Sequence, residues 1–318
     1  MEKRKAAMLA VVIGATLFGF LGVPIRFFYN EYGLGSIDSV MVRLTFASMF
    51  LLLIIGILAH DKLKIRLMDV PILLLFGVFK LMSDLTFFYA QNTIQLSLAT
   101  LLQMTAPYFV MLISLILFRE KLTAKKIIAM AMASIGAILI TGVLFGGIEI
   151  EYAGALSALM SGLFFGLFMV GSKVFNDKGL HPAASLFYTM LFADLMILPF
   201  VNYGGLVDAM TDFKGLAMCI SLGVVMTLIP YYLYSWSTQF IEPTLASMIS
   251  VLELVAATAV GFLFFSEGVS VPNIIGITLV ISSVIFMNLK FHSDYTKKYG
   301  KYIPKRFVDP LFKRKNSS

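Results

Sequence analysis

LATLLQMTAPYFVMLISLILFREKLTAKKIIAMAMASIGAILI, residues 98–140, is two apolar runs joined by a short charged turn. Each run approaches the roughly 20 residues that a helix needs to cross a bilayer. A shift of 147 positions lays the stretch over LASMISVLELVAATAVGFLFFSEGVSVPNIIGITLVISSVIFM, residues 245–287. Leu-Ala opens both, Glu120 falls on Glu267, and Ile127-Ile128 falls on Ile274-Ile275. Upstream, FGFLGVPIRFFYNEYGL (18–34) resembles FGLFMVGSKVFNDKGL (165–180) with one residue of slippage. The chain repeats itself.

Composition says where such a repeat can live. Hydrophobic residues make up 59% of the 318 and charged residues 14%, against about 45–50% and 25% in soluble domains. A chain of this length cannot hide that much apolar surface from water. The net charge of +7 does not point to nucleic acid, because the basic residues gather in short connections and the tail. A lone cysteine, Cys219, excludes an intrachain disulfide and reads as a small buried hydrophobe. MEKRK followed by an apolar run imitates a signal peptide, but the run reaches about Phe28 and reads as a retained first span.

Working outward gives ten spans, near 6–29, 37–59, 70–90, 97–118, 125–145, 152–174, 183–203, 214–236, 244–265 and 272–290. The connections, including the longer GGLVDAMTD, are read as loops. Lys and Arg fall overwhelmingly on the side of the N-terminus: Lys3, Arg4, Lys5, Lys62, Lys64, Arg66, Arg119, Lys121, Lys125, Lys126, Lys173, Lys178 and the tail. That bias puts both termini in the cytoplasm. Five spans per half is an odd number, so the second half enters from the opposite side. The expectation is an all-α membrane protein, about ten transmembrane helices in two inverted five-helix repeats (1–147 and 148–290). A basic, aromatic tail, 291–318, suits an anionic inner leaflet. Inverted repeats place a binding site where they meet, near the midplane.

Ala99, Pro107, Glu120 and Leu122, then Ala246, Glu253 and Glu267, together with this layout, resemble the EamA branch of the drug/metabolite transporter superfamily. The resemblance covers nearly everything to about residue 290. Leu254 stands where the family commonly has a second proline. It implies carriage of small metabolites, often amino acids, across the cytoplasmic membrane.

Ionised side chains inside a bilayer are costly and face a bundle interior or a wet cavity. Lys80 and Asp84, in GVFKLMSDLTFF (77–88), are four apart and share a helical face. They read either as a self-neutralising strut or as part of a polar site. Arg43 adds a guanidinium suited to a carboxylate. Asp194 and Glu253 supply acids in the second half, for a coupling proton or a substrate amine. Their approach to Lys80 and Arg43 is implied by the family resemblance alone. Ser250 shares the face of Glu253, and Gln103 is its repeat counterpart.

Tyr89 and Trp236 coincide under the shift, and belong either to the interfacial belt or to the cavity lining. Tyr108, beside Pro107, is a similar candidate. Pro107 and Pro230 permit kinks. Thr123 and Ser270 read as helix caps, and Gly162-x-x-x-Gly166 as a close helix contact.

No metalloprotease, aspartate-dyad or serine-elbow motif is present, so an enzyme is not expected, nor a cofactor or a metal. The reading is a secondary transporter of a small polar metabolite bearing a carboxylate, an amine or both, working by alternating access. Membrane lipid and a coupling proton are its expected partners, and a homodimer is compatible with it. A channel or a lipid-translocating protein is the second reading.

Overall fold

The computed structural model describes residues 2–58, 63–143, 151–266 and 268–288. Among them there is no strand. In hydrocarbon each backbone N–H and C=O must be satisfied within its own segment, which long apolar runs achieve only as helices. Among the described residues, ten helical segments are long and apolar enough to cross a membrane: Glu2–Tyr32, Ser36–Ile57, Leu67–Thr93, Leu96–Leu117, Ala124–Thr141, Tyr152–Asp177, Pro182–Phe200, Phe213–Ser237, Pro243–Phe265 and Val271–Asn288. They are called the first to tenth spans below. Five per half makes the second repeat inverted.

Local chemistry sets the ends. The Thr123 side chain accepts from the Lys126 N–H, and the Glu151 carboxylate accepts from Ala153 and Gly154. At the tenth span the expected cap is only partly right. Asn273 Oδ1 accepts from both the Ser270 N–H and its hydroxyl, so the bond runs back from inside the helix. The GGLVDAMTD connection is not a loop. Residues Tyr203–Thr211 form a short helix that buries Leu206 and Ala209 against the bundle.

Several spans are interrupted. The first divides into Glu2–Gly19 and Gly22–Tyr32, the fourth into Leu96–Gln103 and Ala106–Leu117, and the ninth into Pro243–Ser250 and Leu252–Phe265. Pro107 sits in the first turn after the break in the fourth span. The ninth span breaks without a proline at Val251, the repeat counterpart of Met104 in the fourth. In the eighth span Ser221–Leu228 is π-helical. Pro230, which cannot donate to the turn before it, follows after one intervening residue.

The two halves interleave. The third span packs chiefly on the sixth and seventh, the first on the eighth and ninth, and the second on the seventh and eighth. Val42, Leu44, Ala47, Met190, Ala193, Ile197 and Leu222 thus share one core cluster across the seam, and Cys219 is buried within it. Small residues allow the closest approaches. The sixth span's Gly162 faces the break in the fourth, where an added Cβ would lie 2.8 Å from Thr105 Oγ1. Gly136 and Gly276 bring the fifth and tenth spans together backbone to backbone. A Cβ on Gly276 would sit 2.6 Å from the Gly136 carbonyl oxygen.

Candidate functional site

A cavity of about 740 Å³ lies at the seam. The first four spans and the ninth form most of its wall, with Phe165 from the sixth and Tyr231 from the eighth. Tyr29, Ser36, Asn92 and Leu96, also in the wall, flank the connections between the first and second and between the third and fourth spans. The cavity therefore reaches toward the end of the bundle opposite the N-terminus.

Four residues expected from the sequence meet in this wall: Arg43, Asp84, Gln103 and Glu253. Arg43 is the hub. Its Nε donates to Thr227 Oγ1 at 3.2 Å, and its guanidinium lies within electrostatic reach of Lys80, Tyr231 and Glu253. Thr227 is itself fixed, donating to the Leu222 carbonyl at 2.7 Å across the π-helical turn. The arginine is thus held by its inner nitrogen.

Lys80 is 1% exposed and does not line the cavity. Its ammonium bonds to Asp84 and lies 5.6 Å from the centroid of the Tyr231 ring. Asp84 presents the pair to the cavity while Lys80 backs it from behind. Two cations (Arg43, Lys80) and two carboxylates (Asp84, Glu253) balance formally.

Gln103 extends the network downward. Its Nε2 donates to Ser161 Oγ at 2.9 Å, and that hydroxyl donates to the Ser83 carbonyl at 2.8 Å. Ser250 lies close by, sharing a small gap with Gln103 and Glu253, although its hydroxyl donates to Ala246 of its own helix.

The other expected residues lie elsewhere. Asp194 is buried between the second and seventh spans, where both its oxygens accept from the Thr45 hydroxyl at 2.8 and 3.0 Å. It does not line the cavity. Tyr89 is half exposed on the outside of the bundle, and Trp236 packs edge-on against Phe240. The Tyr108 hydroxyl pairs with Ser134 Oγ at 2.7 Å in a separate apolar crevice of about 160 Å³. Glu267 and the tail lie outside the described residues.

Thr227 and Tyr231 were not expected from the sequence, and their signal was present. Under the shift of 147 they fall on Lys80 and Asp84. The positions that carry an ion pair in the first repeat carry two hydroxyls in the second, and the two pairs meet at Arg43.

Residues 5–142 and 152–289 each match the EamA-like transporter family. The chain belongs to that family. It is therefore a transporter of the drug/metabolite transporter superfamily, and a multi-pass membrane protein. An uncharacterized transporter of Archaeoglobus fulgidus is 27% identical over 278 residues, covering 87% of this transporter and 94% of its own length. The uncharacterized inner membrane transporter YicL of Salmonella typhimurium is 25% identical over 305 residues, covering 91% and 97%. One solved crystal structure superposes with a TM-score of 0.73 at 15% identity, covering 89% of this transporter and 96% of that chain. At that identity the likeness is one of fold alone.

Proposed function

We propose that this transporter carries a small polar metabolite bearing both a carboxylate and an amine, an amino acid or a close relative, by alternating access. The observation that supports it is the meeting of both signs of charge in one cavity wall: Arg43 together with Asp84 and Glu253. A guanidinium steadied at Nε by Thr227 and by the Tyr231 hydroxyl offers its remaining N–H groups to a carboxylate. The two acids suit the ammonium. Phe18, Phe87 and Tyr231 supply apolar surface between the polar groups, the usual division of labour in a small-molecule site.

Halves 1–147 and 148–290 are the units that rock against each other, with the broken fourth and ninth spans between them. The Lys and Arg bias supports a place in the cytoplasmic membrane with both termini inside and the 291–318 tail on the anionic leaflet. Glu253, within the site, is the proton carrier proposed for coupling, and Asp194 is a second carrier outside it.

A thermal-shift screen of the purified protein against amino acids, amines and carboxylates tests the solute class. A bound solute at a hundred times its Kd adds about 2.7 kcal/mol of stability. Stabilisation by compounds carrying both groups, and not by those carrying one, is the expected result. A panel in which only apolar amphiphiles stabilise would favour lipid translocation instead.

A further inference from the structure

At the end of the bundle that holds the N-terminus, specific contacts tie the two repeats together. Ser237 Oγ, shared between the Leu233 carbonyl of its own helix at 2.5 Å and the Ala7 carbonyl at 2.9 Å, joins the eighth span to the first, and both Ser237 and Ala7 are fully buried. At the same end Lys126, 5% exposed, lies between two acids. Its Nζ is 2.9 Å from Glu120 Oε2 and 2.7 Å from Glu242 Oε2. Glu120 and Lys126 flank the turn between the fourth and fifth spans of the first repeat. Glu242 belongs to the second repeat, just before the ninth span.

The two acids are not equivalent. The Glu120 side chain is 5% exposed and that of Glu242 is 56% exposed. Lys126 and Glu120 can therefore neutralise each other in any arrangement, while Glu242 can let go and hydrate without stranding a buried charge. Glu242 stands at the N-cap position of Pro243–Ser250, yet its carboxylate does not cap that helix. It reaches across the seam instead.

Polar atoms at the same seam point the same way. Glu120 Oε1, Ser114 Oγ, Tyr234 Oη and Thr244 Oγ1 are buried with no hydrogen-bond partner among the described residues. They come from the fourth, eighth and ninth spans and the turn beside them, and Tyr234 lies within electrostatic reach of Glu120. Buried groups left unmatched in this arrangement gain partners when water enters, which offsets part of the cost of parting the seam.

We infer that Lys126 and Glu242 form a releasable latch between the repeats, with Glu120 as its fixed anchor, and that its release opens the end opposite the cavity. The inference rests on the alternating-access reading, but its test needs no solute. In a Cys219→Ala background, Thr244→Cys serves as a reporter beside the latch and Thr189→Cys, 1% exposed where the seventh span packs on the third, as a reporter remote from Lys126 and Glu242. Each is labelled with a maleimide in lipid nanodiscs, with and without Glu242→Gln.

Losing one charge-assisted bond should raise the open population and speed labelling at position 244 by roughly tenfold, leaving position 189 unchanged. Glu242→Asp should restore most of the slow rate. Equal rates at 244 with and without the substitution would overturn the latch, as would parallel acceleration at both reporters. Thermal-shift responses to amino acids are read on the same samples, so a failed latch and a failed solute class give separate signatures.

Discussion

Arg43 and Thr227, which come from opposite repeats, are joined by a hydrogen bond of 3.2 Å from Nε to the hydroxyl oxygen. The bond leaves the terminal nitrogens of the guanidinium uncommitted to Thr227. It also fixes the side chain relative to the π-helical turn Ser221–Leu228. Thr227→Val is therefore expected to weaken amino-acid binding by roughly tenfold, the value of one bond to a charged group. Thr227→Ser should recover most of it. Titrations by thermal shift read both constants. Equal affinity in Thr227→Val and the wild type would show that Arg43 needs no such support.

Lys80→Ala is expected to abolish uptake into liposomes while the protein still folds, since Asp84 borders the cavity and can hydrate there. The double substitution Lys80→Met, Asp84→Leu separates two roles. A strut replaced by apolar residues of similar volume is often tolerated, so recovered transport in the double variant would mean that the pair only holds helices together. Transport that stays lost while the melting temperature recovers is the outcome predicted for a site pair.

Glu253 and Asp194 differ in surroundings, and their substitutions should differ in effect. Glu253→Gln removes the acid within the cavity and is expected to eliminate any response of uptake to an imposed pH gradient. Asp194→Asn leaves an acceptor for the Thr45 hydroxyl, so at most a partial loss is expected. Uptake by the wild type that ignores the gradient would remove protons from the mechanism altogether.

Gly276→Ala places a methyl group against the Gly136 carbonyl, a backbone atom that cannot step aside. A loss of about 1–3 kcal/mol is expected for such overpacking, read as a fall in melting temperature with solute affinity unchanged. An unaltered melting temperature would mean that the fifth and tenth spans separate easily.

The ten spans and the repeat were legible because both are properties of the chain in one dimension: runs of apolar residues and a fixed offset. The cavity was legible only where charge marked it. Arg43, Asp84 and Glu253 stand out in an apolar background, while Thr227 and Tyr231 are ordinary residues in a membrane span. Only their alignment on Lys80 and Asp84 distinguishes them. Depth in a span does not fix direction. Asp194 lies well inside the seventh span yet turns to Thr45, and Tyr89, in the last turns of the third span, faces outward. The break at Val251 has no proline to announce it, and the glycines of Tyr203–Thr211 disguise a helix whose apolar face packs on the bundle.

Counterflow in liposomes reconstituted with the full-length protein measures most directly whether an oppositely charged wall selects and carries a zwitterion. Vesicles are preloaded with a mixture of unlabelled amino acids, and entry of the labelled mixture is followed. Saturable entry accelerated by the preload, and lost in both Arg43→Gln and Glu253→Gln, is the predicted result. Flux that never saturates, shows no acceleration and survives both substitutions would contradict it.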